Sequence, residues 1–293
     1  MKNADSPGNP GQTTSKRWEL IENSLICPSC RTKLTLGHCR ECRSQVQQID
    51  GQYRFVHAKI GTGDAAFQNA THNGSSFTGR AFNLGRAILS SEFQPHNHLK
   101  SFLEASRGTI VELGSGARRL APEIINIDLF PSKEVDIVAD IAEVPLCDSC
   151  ADAVIIDSVI EHVPYPDKVV AEAHRILKPG GRLFINCPFM LPYHGYPAHF
   201  RNLTRDGMEH LLEDFDNVEI VPTFGPMTAL VNMFAETFAV IVGGSRGFCY
   251  VAAKGIALLP TFWLKYLDYF FITLERSHRI AGMLCAQATK SRD

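Results

Sequence analysis

Short apolar runs bounded by turn residues alternate with stretches of 3.6-residue periodicity through the middle of this chain, and that alternation predicts a layered α/β fold. Residues 109–113, 124–127, 135–139, 153–156, 182–187 and 217–221 read as strands, apolar on both faces as in a sheet covered on both sides. Between 167 and 177, Val169, Val170, Ala173, Ile176 and Leu177 share one helical face, and Pro179-Gly180-Gly181 ends the helix. A second helix is expected over 204–215 with Thr204 as its cap, and weaker helical pattern lies at 80–89 and 98–105. Strands alternating with helices imply a doubly wound sheet.

The pattern changes after the sixth strand. Met227, Leu230, Val231, Phe234, Phe238 and Ile241 recur at helical spacing, Phe262, Trp263, Tyr266, Tyr269 and Phe270 follow in a second apolar run, and strand-like sequence returns only at 283–289. Glu236, Arg246 and Lys254 interrupt these runs, so neither is expected to span a bilayer, which asks for about 18 or more uncharged residues. Two expectations follow for residues 225–279. They form a helical cap on the sheet or on a second subunit of a homodimer, or an interfacial helical pair in peripheral contact with the membrane.

With 45% hydrophobic and 20% charged residues in 293, the composition is that of an ordinary globular protein and excludes wholesale disorder, collagen and coiled coil. A net charge of −2 provides no broad field for nucleic acid, which is not expected as a partner. The first sixteen residues are polar and lack the apolar stretch of a signal peptide, so a cytoplasmic protein is expected, if membrane-associated then at the inner face.

Nine cysteines, an odd number, argue against a disulfide framework. Four of them form Cys27-x-x-Cys30 and Cys39-x-x-Cys42, two tight turns eight residues apart that supply the four thiolates of a tetrahedral zinc. With every ligand a sulfur the site is closed and structural, and so short a segment needs the metal to fold. Cys147-x-x-Cys150 lies in the loop before the fourth strand, and its cysteines are read as apolar anchors.

Glu112-Leu113-Gly114-Ser115-Gly116 follows the first of the six strands, which sets its glycines where a ligand approaches the backbone. Arg119 stands where a dinucleotide fingerprint needs its third glycine, and the next acidic strand end, Asp128, comes fourteen residues after Gly114 rather than about 20. Asp128 can accept from both hydroxyls of a ribose, and Asp140, after the third strand, from an adenine amino group. Acids at adjacent strand ends beside a glycine loop describe an adenosine site without a pyrophosphate, and S-adenosylmethionine is such a ligand.

From 108 to about 221 the sequence resembles the class I S-adenosylmethionine-dependent methyltransferases of the broad type 11 group. The resemblance rests on Glu112-Leu113-Gly114-Ser115-Gly116, Ile127-Asp128, Ala139-Asp140-Ile141, Ser158-Val159-Ile160-Glu161-His162-Val163 and Arg175-Ile176-Leu177-Lys178-Pro179-Gly180-Gly181, in that order. It implies a Rossmann-like seven-stranded sheet in which 217–221 pairs with 283–289. It also implies that Gly114, Ser115 and Gly116 pack against the cofactor with Glu112 near its amino-acid end, that Asp128 takes the ribose and Asp140 and Ile141 the adenine, and that Asp157, Glu161 and His162 flank the methyl donor. The first crossover, 117–122, departs from the pattern in leaving room for barely one helical turn, so Arg118 and Arg119 become candidates for the methionine carboxylate. The cysteine segment in turn resembles small zinc ribbons that associate with methyltransferases.

After the fifth strand, Pro192-Tyr193-His194-Gly195-Tyr196-Pro197-Ala198-His199-Phe200 forms the loop expected over the acceptor, with His199 standing where related enzymes carry Asp. His199 and His194 are the candidate catalytic residues, since an imidazole can take the proton of a hydroxyl acceptor near neutral pH; the alternative is that both brace the loop. The resulting organisation is a disordered tail over 1–20, a zinc ribbon over 21–55, a connector over 56–107, a methyltransferase core over 108–224, the helical insertion over 225–279 and a last strand and tail over 280–293. The expected activity is methyl transfer to an O or N nucleophile of a small-molecule, glycan or lipid-linked saccharide acceptor. The alternatives are an RNA base methyltransferase with a zinc-ribbon reader and a non-catalytic regulatory subunit.

Overall fold

The computed structural model describes residues 10–27, 29–35, 37–55, 92–195, 198–244 and 247–292. Its first element, helix α1 (Pro10–Ser24), corrects the disordered tail expected over 1–20, of which residues 1–9 lie outside the described residues. Trp18, Ile21 and Leu25 recur at helical spacing, with Ile21 and Leu25 buried and the Trp18 ring 6.2 Å from that of Tyr53. Arg17, also buried, donates to the carbonyl of Pro122 and pairs with Asp136 at 3.4 Å. The partners that order this polar stretch come from elsewhere in the chain, which is why composition alone reads it as loose.

Strands β1 (Leu34–Thr35) and β2 (His38–Cys39) form a small antiparallel ladder between the two cysteine pairs. A second hairpin, β3 (Gln47–Ile49) and β4 (Gln52–Arg54), turns on Asp50 and Gly51, both at positive φ as its tight two-residue turn requires. Strand β4 then pairs in parallel with the edge of the main sheet, Tyr53 opposite Ile137, so the cysteine-bearing segment is hydrogen-bonded into the sheet.

The core strands are β5 (Ile110–Leu113), β6 (Ile125–Asp128), β7 (Ile137–Val138), β8 (Ala151–Asp157), β9 (Leu177–Pro188), β10 (Asp216–Phe224) and β11 (Met283–Thr289). Their spatial order is β10-β11-β9-β8-β5-β6-β7, extended by β4 and β3. Strands β7 to β9 in that order are parallel, and β11 runs antiparallel to both β9 and β10, in the pairing expected of 217–221 with 283–289. This is the Rossmann-like sheet that the resemblance implies.

Helix α2 (His98–Ala105), capped by the Asn97 side chain, lays Phe102 on one face of the sheet 5.4 Å from Phe184. The helical pattern at 80–89 lies outside the described residues. Helix α3 (Pro166–Ile176) buries Val169, Val170, Ala173 and Ile176 on the other face and ends before Pro179, because β9 already begins at Leu177. Helix α4 (Arg205–Leu211) is shorter than the expected 204–215 but takes its cap from Thr204, whose hydroxyl accepts from the Gly207 amide at 3.0 Å. Between β5 and β6 there is only a turn, so the short crossover seen in the sequence carries no helix.

Between β10 and β11 the chain leaves the sheet as α5 (Pro226–Phe238), which runs on as a π turn over Ala239–Gly243, and returns through α6 (Gly247–Thr261) and α7 (Asp268–Phe271). The buried Asp268 carboxylate accepts from the amides of Met227 and Thr228, both at 2.8 Å, and so ties the end of the insertion to its start. Even with the interrupting charges, Pro226–Gly243 and Gly247–Phe271 are each long and apolar enough to cross a bilayer, by length and composition alone. Within the hairpin, Lys254 pairs with Glu236 at 2.8 Å.

Candidate functional site

The ends of β5, β6, β7 and β8 converge on one edge of the sheet and carry the expected acids. Gly114 and Gly116 both hold positive φ, for different reasons. A Cβ on Gly114 would lie 2.5 Å from the Val159 side chain, so this glycine lets the β5 and β8 loops close on each other. A Cβ on Gly116 would meet nothing within 4 Å, so its backbone faces open space. Ser115 is buried with its hydroxyl unpaired.

Asp128 accepts from the Gly116 amide through Oδ2 and from the Phe130 amide through Oδ1, both at 2.8 Å, which leaves each oxygen a second lone pair. Burial raises its pKa above the ordinary carboxylate range against the pull of these amides. Asp140 is exposed just beyond β7, with Oδ1 accepting from the Ala142 amide at 2.9 Å, and Ile141 beside it is buried. The Ala139 amide donates to the Asp128 carbonyl at 3.0 Å, which holds the two acids on neighbouring strand ends.

The absence of a first crossover helix brings Arg118 back over the strand ends. Its guanidinium donates to Glu112 Oε1 at 2.9 Å and to Asp157 Oδ2 at 2.8 Å. Glu112 is fully buried and keeps its second oxygen unpaired; burial raises its pKa, opposed by Arg118. Arg119 turns away to Glu134 and Asp136, so of the two arginine candidates only Arg118 reaches this crevice. Asn186, not anticipated from the sequence, donates to Asp157 Oδ1 at 2.8 Å and accepts from Thr223, a network whose sequence signal is one polar residue inside an apolar strand.

Glu161 and His162 lie one turn after β8, and the loop after β9 brings His194 and His199 against them. The His194 and His199 rings are 4.4 Å apart, and His162 lies 5.3 Å from His194. His199 has both nitrogens engaged: Nδ1 accepts from the His194 amide at 3.1 Å, and Nε2 donates to Asn202 Oδ1 at 2.6 Å. Asn202 in turn donates to the carbonyls of Phe189 and Leu191, so it locks the loop, a role the sequence did not suggest. His194 instead directs Nε2 to within 3.7 Å of Glu161, whose carboxylate raises the imidazole pKa.

At the other edge of the sheet the sulfurs of Cys27, Cys30, Cys39 and Cys42 all lie within 4.8 Å of one another, with Cys27 to Cys42 at 3.4 Å and Cys30 to Cys39 at 3.3 Å. Tetrahedral zinc holds sulfurs at about 2.3 Å and therefore about 3.8 Å apart, within this span. The Thr32 hydroxyl, 3.2 Å from Cys39, is the main cause that brings that thiol down to about 6, whereas burial pushes Cys27 up to about 11. The four thiols fit a structural zinc. Cys150 is pushed up by burial, as an apolar anchor is.

Residues 111–185 match the methyltransferase domain family. The chain is 33% identical over 105 residues to an uncharacterized 37.1 kDa protein in a Streptomyces fradiae transposon, and 51% identical over 47 residues to the ubiquinone/menaquinone biosynthesis C-methyltransferase UbiE of Acidiphilium cryptum. These matches span 30% and 16% of this chain, and 30% and 19% of those proteins, so less than a third of either relative's length is shared. Among solved structures, a SAM-dependent methyltransferase of Thermotoga maritima aligns with a TM-score of 0.44 at 15% identity, over 72% of this chain and 95% of that one. A Haemonchus contortus phosphoethanolamine N-methyltransferase aligns at 0.41 and 17%, over 70% of this chain and 56% of that one. At such scores the alignments carry no weight of their own; strand order and register do. The segment that matches the methyltransferase domain family runs from β5 into β9, the strands whose ends present Glu112, Asp128, Asp140 and Asp157, and the strand order and register around it are those of a Rossmann-like sheet.

Proposed function

We propose that this protein transfers a methyl group from S-adenosylmethionine to an oxygen or nitrogen nucleophile of a lipid-linked acceptor at a membrane surface. The strand-end geometry supports the cofactor. Asp128 has a free lone pair on each oxygen for a ribose diol, and Gly116 leaves room beside it. Arg118 offers a cation to the methionine carboxylate, while Glu112 and Asp157 offer anions to its ammonium. Asp140 and Ile141 border the adenine position, and Ser115 has a hydroxyl to donate. When bound, the sulfonium supplies an electrophilic methyl group, and positioning contributes most of the rate. His199, with both nitrogens occupied, braces the loop that carries His194 and has no free lone pair for the nucleophile's proton.

The observation that carries the acceptor class is the surface of the insertion. Among the described residues, sixteen of the twenty-two exposed large hydrophobic side chains lie within 225–279, including Ile241 at 76% and Phe248 at 86% exposure. Soluble monomers rarely expose so extended an apolar surface. Trp263, Tyr266 and Tyr269, exposed after α6, are the residue types that settle at the boundary between lipid and water. A largely apolar groove of about 240 Å³ joins this surface to the acceptor loop, lined by Pro192 from the loop and by Met233, Glu236, Thr237, Val240 and Ile241 from the helix. Incubation of a fractionated cell extract with tritiated cofactor tests the reading. Label in the lipid fraction, with flotation of the protein on anionic vesicles, is the expected result. Label confined to water-soluble products or RNA, or a homodimer that ignores vesicles, overturns the acceptor class.

A further inference from the structure

Glu161 has no exposed surface, and neither of its carboxylate oxygens has a hydrogen-bond partner. Acids are almost never buried in this way without a cation or a donor. Two imidazoles face it, with Nε2 of His194 at 3.7 Å and Nε2 of His162 at 3.9 Å from Oε1. Each ring has its other nitrogen against a backbone carbonyl, His162 Nδ1 against Ala198 and His194 Nδ1 against Pro192 at 3.2 Å. A carbonyl accepts only, so the proton of each neutral ring sits on Nδ1 and the Nε2 lone pair points at the carboxylate. Two ring nitrogens and a buried anion therefore converge on one point, an arrangement that calls for a positive charge between them, and separations of 3.7 and 3.9 Å are too long for a proton on either ring to bridge as a hydrogen bond.

We infer that Glu161, His162 and His194 bind a divalent transition-metal ion, a site distinct from the four-cysteine cluster. The three ligand atoms all lie within 4.8 Å of one another. Bonds of about 2.0–2.1 Å hold neighbouring ligands about 3.0–3.4 Å apart, so a contraction of about 1 Å closes the set around an ion. The Nδ1 to carbonyl bonds are the outer contacts that orient metal-bound histidines. His194 lies on the loop and is half exposed, so it can supply that movement, while His199 and Asn202 fix the loop's path. Two imidazoles and one carboxylate suit zinc, iron or manganese and leave coordination positions open to a further ligand, unlike a closed cysteine site. The site goes beyond the methyl-transfer reading and does not depend on it, since metal binding is measured without cofactor or acceptor.

Calorimetric titration of zinc into protein that already holds one equivalent, by elemental analysis, at its cysteine cluster tests the inference. A second equivalent per chain is expected in the wild type, with affinity lowered at least tenfold in Glu161→Gln and in His194→Ala. The control His210→Ala, which removes a surface imidazole, is expected to bind as the wild type does. Thermal melting in the presence and absence of zinc is the second readout: metal raises the midpoint of the wild type and not of His194→Ala, whose side chain is too exposed for its loss to unfold the chain. A wild type that takes up no second equivalent, or Glu161→Gln and His194→Ala variants that bind it unchanged, overturns the site.

Discussion

Asp128 holds the glycine loop through one lone pair of each carboxylate oxygen and has the other pair available to a ligand. Its backbone partners keep it in place without a bound molecule, so under the proposed function a ribose diol would meet a preformed acceptor. Replacing Asp128 with alanine is expected to weaken S-adenosylmethionine binding by tenfold to a hundredfold, the equivalent of about 1.5–3 kcal/mol for hydrogen bonds to a charged group. Isothermal titration calorimetry measures this directly, and equal affinities in variant and wild type would remove Asp128 from the ribose site. A melting curve shows whether the loop itself has been disturbed, because the variant also loses the acceptor of the Gly116 and Phe130 amides.

Among the elements, the insertion is tied end to start by the Asp268 side chain. Asp268 is wholly buried and accepts from two amides at the start of α5, where Gly225 lies so close that an added Cβ would fall 2.4 Å from the Asp268 carboxyl carbon. Loss of the carboxylate leaves two buried amides unpaired and removes the helix cap, so Asp268→Ala is expected to destabilise the protein by about 2 kcal/mol. Gly225→Ala disrupts the same contact by crowding it. The double variant should therefore cost less than the sum of the two single variants, since residues that share one contact are not additive. Urea denaturation of the four proteins completes the cycle; strictly additive losses would mean that the two residues act separately.

At the scale of the whole molecule, the sheet carries the strand-end acids, the loop after β9 carries the histidine cluster, and the insertion holds an apolar surface against that loop. A membrane-facing role requires that this surface bind lipid without taking part in cofactor binding. The double variant Ile241→Asp/Phe248→Asp places two charges on its most exposed positions. It is expected to reduce vesicle association at least tenfold while cofactor affinity by calorimetry stays within twofold of the wild type, because burying charge in the interface is costly and neither residue lies on the strands that carry the acids. Vesicle association that survives both charges would return the insertion to the role of a protein-facing cap.

Much of the core was legible in order along the chain. Buried parallel strands declare themselves as apolar runs, and the acids at their ends fall where the runs stop, as at Ile127-Asp128 and Ala139-Asp140. The two cysteine pairs were equally plain, because ligand spacing is a local property. What required the tertiary structure were contacts between distant segments. Helix α1 is ordered by Tyr53, Pro122 and Asp136, none of them near it in sequence, and the cysteine segment joins the sheet only because β4 finds the free edge of β7. The choice of Arg118 over Arg119 turns on the direction of a side chain leaving a helix-free turn, which periodicity does not encode. The histidines divide in the same way: sequence assembled His194 and His199 as equivalent candidates on one loop, while the folded chain occupies both nitrogens of His199 and aims His194, with His162, at the buried carboxylate of Glu161. Sequence determines which groups are available and which strand ends carry them; their ionic partners, tautomers and free lone pairs are decided only by what the fold packs around them.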